Sequence, residues 1–263
     1  DTTKNLVLRA AYTESIARPT FNQLNPRATI STTSDTVSRG NLDLKPVYSR
    51  NLDLSFDYYL GSVGYLSVGV FRKNFKNNVY RSTQREMFEG EANVQVTQDR
   101  NARGGRLTGL ELAYDQPLRF LPAPFDGLGV AFNYTRTDSK LDTGLPQLAG
   151  VKIPLFDQMK NTVNASLYYE KGPLRLRASA HQRSRTVFDL ATNNPYALAR
   201  FESPSTELDL TASYRFWRQW RVYAEVQNAL GEPRHGYNGD KSLRLDYNEY
   251  SDWAATLGVR WNL

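Results

Sequence analysis

Few residues in this chain of 263 could carry out acid–base or metal chemistry. His181 and His235 are its only histidines, and it contains no cysteine. Thiol nucleophiles, disulfides, zinc fingers and iron–sulfur clusters are therefore excluded. A transition-metal site would require the two histidines to meet from different loops, and no Gly-x-Ser-x-Gly elbow marks a nucleophile. We expect no catalytic residue, no metal site and no cofactor.

Two further features have simple interpretations. Asp246–Asp252 is rich in oxygen ligands suited to Ca²⁺, but it lacks EF-hand spacing and a turn glycine, which favours a solvated loop. The formal net charge is +6, yet the 33 lysines and arginines form no run or stripe. We expect attraction to anionic lipopolysaccharide or an acidic solute, and no nucleic-acid partner.

The elements that must position any site are strands, because alternation of apolar and polar residues dominates the chain. In Glu207–Phe216 every even position is apolar and every odd position is polar. The same pattern, in part less regular, predicts ten strands. They are Asn5–Tyr12, Asn51–Leu60, Tyr65–Phe71, Gly109–Asp115, Leu128–Thr135, Val163–Glu170, Leu174–His181, Glu207–Phe216, Val222–Gln227 and Ala255–Leu263.

The connections between these strands alternate in length. Tight turns follow the second, sixth and eighth strands, and a somewhat longer proline-rich turn follows the fourth. The other connections are long and polar: Thr13–Pro46, Lys76–Glu91, Lys140–Met159, Ser184–Ser205 and Asn228–Ser242. No apolar run is long enough for a membrane-spanning helix. Short turns at one end and long loops at the other are typical of an outer-membrane β-meander.

A soluble β-sandwich would also show one-sided alternation. The one-ended loop asymmetry favours the barrel, as do aromatic residues at strand ends, where Tyr58, Tyr59, Phe216, Trp217 and Trp220 would form an interfacial girdle. The sandwich remains an alternative, and it predicts a chain that purifies without detergent.

Several motifs resemble those of TonB-dependent outer-membrane receptors. Ala11–Pro26 is similar to the family's strand-to-loop signature, and Gly40–Pro46 to its loop-to-strand element. Glu225–Leu230 matches a later strand, and Leu257–Leu263 is similar to the closing strand that the barrel assembly machinery recognises. The run Leu121–Val130 looks most like receptors of Caulobacter- and Xanthomonas-type bacteria.

The resemblance implies an all-β fold, a transmembrane antiparallel β-barrel in the outer membrane of a Gram-negative cell. Residues 1–263 would form one domain, supplying about ten of the roughly 22 strands of such a barrel, with short periplasmic turns and long extracellular loops. No plug and no TonB box are visible, and the chain starts at Asp1 without a leader. We therefore expect a part of a longer receptor.

Two sets of residues are candidates for contact with a solute. The polar strand faces would line the lumen, and they contain Arg175, Arg177, His181, Glu207, Asp209 and Arg215. Such residues could contact solute or plug, or could only pair with one another. Loop and rim residues are the second set, because loops on a rigid scaffold carry binding function. They are Phe188, Tyr196, Phe201, His235, Tyr237, Tyr247, Tyr250 and Trp253, which could stack on a ligand or only touch lipid headgroups.

By resemblance, the chain would be the barrel part of a receptor that takes up a large, scarce solute and performs no chemistry. An oligosaccharide is slightly favoured over an Fe(III)–siderophore. The implied partners are the TonB–ExbB–ExbD system acting through a plug, outer-membrane lipid and lipopolysaccharide, and the barrel assembly machinery. A self-contained ten-strand barrel hydrolase, with His181 or His235 beside a loop carboxylate, is the alternative from another class.

Overall fold

A computed structural model describes residues 5–31, 36–61, 63–190, 199–239 and 244–261. One short helix, α1 (Phe21–Leu24), is capped by Thr20, and single 3-10 turns lie at Phe125–Gly127 and Pro146–Leu148. The strands are β1 (Leu6–Ala17), β2 (Thr29–Ser31), β3 (Thr36–Ser38), β4 (Val47–Leu60), β5 (Gly64–Lys76), β6 (Val79–Phe88), β7 (Glu91–Asn101), β8 (Gly104–Pro117), β9 (Leu128–Asp142), β10 (Asn161–Lys171), β11 (Leu174–Arg183), β12 (Thr186–Asp189), β13 (Arg200–Glu202), β14 (Ser205–Arg215), β15 (Trp220–Gln227), β16 (Arg234–Asn238), β17 (Leu245–Glu249) and β18 (Ala254–Trp261).

Ten strands form one antiparallel sheet, which we call the wall. Its order is β1-β4-β5-β8-β9-β10-β11-β14-β15-β18, so each wall strand pairs with the next one along the chain. These are the ten strands predicted from the alternation, extended by several residues at many of their ends. Among the described residues, β1 pairs only with β4, and β18 only with β15.

The wall exposes its apolar face. Leu8 is 67% exposed and Leu257 is 78% exposed, and Leu52, Leu54 and Leu167 on intervening strands are also exposed. A soluble sandwich would bury such a face, whereas lipid covers it in a membrane barrel. The arrangement therefore favours the membrane barrel over the sandwich. No helix in the described ranges is long and apolar enough to cross a membrane.

The long connections contain the other eight strands, which the sequence analysis did not predict. The first rim sheet has the order β2-β3-β7-β6, with β3 parallel to β7. The second rim sheet has the order β12-β13-β16-β17. All of these strands lie at the end of the wall opposite the tight turns. The rim therefore consists largely of two small β-sheets and not only of irregular loops.

The compact hydrophobic core of the described residues lies in the rim. Tyr80, Leu141, Leu148 and Ile153 are buried together, and Leu190 joins them from the connection after β12. Contributions from three separate connections thus pack into one cluster, which holds the loops in a defined arrangement.

Candidate functional site

The register of the wall places all six predicted lumen residues on one face. His181 lies directly across from Glu207, and Arg175 and Arg177 lie across from Ser213 and Thr211. Asp209 and Arg215 lie two and eight residues after Glu207 on β14. Because both spacings are even, the three side chains share one face of the strand. The opposite face of the same strands carries leucines and alanines. Whether these six side chains contact a solute stays a prediction.

Within the described residues, none of the six forms an ion pair. His181 Nδ1 instead hydrogen-bonds Asn164, and Asp209 accepts a hydrogen bond from the backbone N–H of Asn228 at 2.9 Å. The Arg177 guanidinium lies 5.1 Å from the ring centroid of Tyr168. This part of the polar face therefore carries both cations and carboxylates that form no ion pair with one another.

Seven of the eight predicted loop and rim residues lie in the described ranges. Five belong to the second rim sheet: Phe188 on β12, Phe201 on β13, His235 and Tyr237 on β16, and Tyr247 on β17. Tyr250 and Trp253 are exposed in the segment between β17 and β18. Tyr196 lies outside the described residues.

Aromatic contacts tie the second rim sheet together. Phe201 and Tyr237 are cross-strand partners with stacked rings, their centroids 5.6 Å apart. Phe188 meets Tyr247 edge to face at 6.1 Å, and the Arg200 guanidinium lies 4.9 Å from the Phe188 ring. Tyr237 is buried, so its ring supports Phe201 and has little surface left for a ligand.

Ion pairs anchor this sheet internally and to the wall. Arg200 pairs with Asp246 and with Asp189, and Asn238 donates to Asp246. Asp246, considered above as a calcium ligand, is thus engaged by a cation. At the end of β11, Arg183 donates to Glu202 at 2.5 Å, and this hydrogen bond lowers the pKa of the Glu202 carboxyl below its ordinary value.

A cleft opens between the connection after β9 and the β12–β13 pair. We call it the rim cleft, and its volume is about 730 Å³, within the range of small-molecule sites. Its lining residues are Thr137, Asp138, Ser139, Val151, Lys152, Ile153, Pro154, Gln158, Lys160, Ser184, Arg185, Thr186, Val187, Phe201 and Pro204. Phe201 is the one predicted site residue among them.

Hydrogen bonds hold the walls of the rim cleft in place. Thr137 donates from its backbone N–H to the Lys160 carbonyl at 2.8 Å and from its hydroxyl to the Met159 carbonyl at 2.7 Å. Across the cleft, the backbone N–H groups of Ser184 and Asp157 donate to Asn161 and Val187. The cleft is therefore preorganised, and binding there would require little loop ordering.

The chemistry of the rim cleft suits an anion that also has an apolar or aromatic part. Lys152, Lys160 and Arg185 supply three cations against the single carboxylate of Asp138. The Arg185 guanidinium lies 5.0 Å from the Phe201 ring centroid, which places a cation beside an aromatic surface. Sequence reasoning missed the three cations because they come from separate connections. No local signal marks them, because the connection between β9 and β10 and the one between β11 and β14 contain only two basic residues each.

No metal-binding cluster is present in the part of the chain that the structure describes: no three His, Cys, Asp or Glu side chains come together there. Asp53 and Asp57 lie on one strand face, as lumen-lining residues do, and Asp57 is paired with Arg9.

The exposed apolar wall and the folded rim define the class as a membrane β-barrel of the outer-membrane type. The sequence profile of the TonB dependent receptor-like, beta-barrel family matches residues 1–229. The chain therefore belongs to that family, which consists of outer-membrane transport receptors and not enzymes. This family assignment does not support the hydrolase alternative. No curated protein matches the chain.

Solved structures share the fold at low sequence identity. A variant of the ferric enterobactin receptor PfeA from Pseudomonas aeruginosa is 20% identical, with a TM-score of 0.66 over 99% of this chain and 38% of that one. The siderophore receptor PirA from the same organism is 17% identical, with a TM-score of 0.62 over 97% and 39%. The copper transporter OprC is 15% identical, with a TM-score of 0.66 over 97% and 37%. The chain thus spans well under half of each structure.

Proposed function

We propose that the chain is the barrel wall and rim of a receptor for TonB-dependent uptake of an anionic Fe(III)–siderophore. The observation that carries this proposal is the preorganised rim cleft, where three cations and an aromatic ring face one carboxylate. Deprotonated catecholate or carboxylate oxygens give such a chelate negative charge and hydrogen-bond acceptors, and the part of Phe201 that lines the cleft can contact a catechol ring.

The names of two structural relatives support the same solute class, because PfeA is a ferric enterobactin receptor and PirA a siderophore receptor. Nothing among the relatives supports the slight preference for an oligosaccharide stated above, so we do not retain it. Copper, the solute named for OprC, has less support, because the described residues contain no cluster of metal ligands. In this proposal the inner-membrane TonB system acts through a plug supplied by the rest of the receptor.

Growth of a strain that lacks the receptor gene tests the proposal. The strain is supplied with a ferric catecholate siderophore under iron limitation, or with oligosaccharides as sole carbon source. The intact receptor should restore growth only with the ferric siderophore. Lys152→Gln with Lys160→Gln should reduce that growth, whereas Lys45→Gln with Lys76→Gln, which removes equal charge outside the cleft, should not. Growth restored on oligosaccharides but not with the ferric siderophore would overturn the proposal.

A further inference from the structure

A second polar pocket lies in the first rim sheet, away from the rim cleft. It is open to solvent and has a volume of about 330 Å³ between α1, β3 and the β6–β7 hairpin. Three arginines line it, Arg27, Arg39 and Arg81, against one carboxylate, Asp99. Side-chain amides and hydroxyls complete the lining. We call it the arginine pocket.

Close backbone packing builds one side of the arginine pocket. A Cβ on Gly40 would lie 2.4 Å from the Asn25 carbonyl oxygen, so only glycine allows the chain after β3 to lie directly on the segment after α1. The Gly40 N–H donates to that same carbonyl at 2.9 Å, and the Asn41 N–H donates to the Gln23 carbonyl at 2.7 Å. The Gln98 amide in turn donates to the Gly40 carbonyl at 3.0 Å. The pocket is therefore held in shape without a ligand.

The positive charge in this pocket is only partly compensated. Glu86 pairs with Arg100 at 2.9 Å and approaches Arg39 only to 3.9 Å. The Nε of Arg39 is buried without a hydrogen-bond partner among the described residues. Arg27 forms no ion pair within them, and Arg81 donates to the Ser38 hydroxyl at 3.1 Å. The buried Nε of Arg39 is costly to leave unpaired unless an acceptor binds it, whereas Arg27 and Arg81 are exposed and present their charge to solvent.

We propose that the arginine pocket binds a phosphorylated sugar. Three guanidinium groups against one carboxylate leave two excess positive charges, and a phosphate monoester carries about −1.5 to −2 at neutral pH. A carboxylate would compensate only half of this excess. Guanidinium groups also match phosphate in geometry, because two N–H groups can donate to two of its oxygens.

The rest of the lining selects a sugar over bare phosphate. The Asn22 amide and the Thr29 hydroxyl offer both donors and acceptors, which sugar hydroxyl groups require. Gln23 adds its amide N–H groups, since its amide oxygen already accepts from Thr20. The volume suits one or two sugar rings. At the rim, such a ligand has two sources: the phosphorylated core of lipopolysaccharide in the surrounding leaflet, or a free sugar phosphate in solution.

Calorimetric titration of the intact receptor in detergent tests the proposal, with glucose 6-phosphate, glucose and inorganic phosphate as probes. Glucose 6-phosphate should bind more tightly than either of the others. Arg27→Gln and Arg81→Gln should each weaken its binding about tenfold, which equals about 1.4 kcal/mol. The Arg27 side chain is exposed and forms no ion pair with the described residues, so its variant keeps the test valid if Arg81→Gln folds poorly. Arg85→Gln, on the same strand but outside the pocket, is the matched control.

Parallel titrations identify which source supplies the phosphorylated sugar. They use lipopolysaccharide in its phosphorylated form and after enzymatic dephosphorylation. Tighter binding of the phosphorylated form than of glucose 6-phosphate assigns the pocket to the lipid, and the reverse order assigns it to a free solute. Equal binding by the wild type, Arg27→Gln and Arg81→Gln would overturn the proposal. So would inorganic phosphate binding as tightly as glucose 6-phosphate, or no binding of any phosphorylated probe.

Discussion

Arg183, at the end of wall strand β11, donates a 2.5 Å hydrogen bond to Glu202 of the second rim sheet, and both side chains are largely buried. The same arginine donates to the Ser205 hydroxyl at 2.8 Å through Nε. One guanidinium thus links the membrane wall to the sheet that carries Phe201. This link adds to the backbone hydrogen bonds of Thr137 and Ser184 that hold the rim cleft against the wall.

Glu202→Gln should loosen the second rim sheet. Removing the charge from a buried, hydrogen-bonded pair costs about 1–3 kcal/mol, so hydrogen exchange at the β13 amides of the intact receptor should be about tenfold faster. Glu249→Gln, on the same sheet and outside any ion pair of the described residues, is the control. Unchanged exchange in Glu202→Gln would show that the link does not hold the sheet.

The same link should respond to acid. Because the pKa of Glu202 is lowered in the folded protein by the Arg183 hydrogen bond, the stabilisation is complete above the ordinary glutamate pKa. It is lost as the pH falls through the lowered value. β13 amides should therefore lose protection at acidic pH in the wild type and change less in Glu202→Gln.

Gly129→Ala should destabilise the wall. A Cβ there would lie 2.2 Å from the Tyr168 ring, which is also held by Arg177 and by Asp115. Displacing the ring should cost about 1–3 kcal/mol, and the temperature at which the barrel loses heat-modifiable migration in gels should fall. In the Tyr168→Ala background the same substitution should cost much less, because the clash is gone.

Gly69→Ala is the matched control for that experiment, since its Cβ would meet neighbours only at 3.8 Å or more. Equal losses of stability in Gly69→Ala and Gly129→Ala would mean that strand propensity, and not the ring contact, explains the effect.

Leu257→Arg and Thr256→Arg test which face of the wall meets lipid. Leu257 is on the exposed apolar face, where an arginine near the bilayer centre costs about 2–4 kcal/mol. Thr256 points to the opposite face, across from Glu225, which could pair with the new cation. Leu257→Arg should reduce the folded receptor recovered from outer membranes, and Thr256→Arg should not. If Thr256→Arg reduced the recovered receptor and Leu257→Arg did not, the face that carries Thr256 would be the one that meets lipid.

The sequence predicted the wall well because each wall strand is eight or more residues long, shows at least part of the alternation and pairs with the next wall strand along the chain. Among the rim strands, β2, β3 and β13 have only three residues each, too few for a periodic signal. β6 and β7 have ten and eleven residues, but most of these are polar, so apolar and polar positions do not alternate clearly. Their partners are also distant: Val37 pairs with Val96 in parallel. The rim aromatics were recognised by type, whereas the cations of the two pockets are assembled by tertiary packing alone.

The central claim is that the rim cleft binds an anionic Fe(III) chelate. Equilibrium binding of a radioiron-labelled ferric tris-catecholate to the intact receptor in detergent tests it most directly. The wild type should bind, with affinity falling as salt rises. Lys152→Gln with Lys160→Gln should weaken binding about tenfold or more, while Lys45→Gln with Lys76→Gln should bind as the wild type does. Undiminished binding after neutralisation of Lys152 and Lys160, or no binding by the wild type, would contradict the claim.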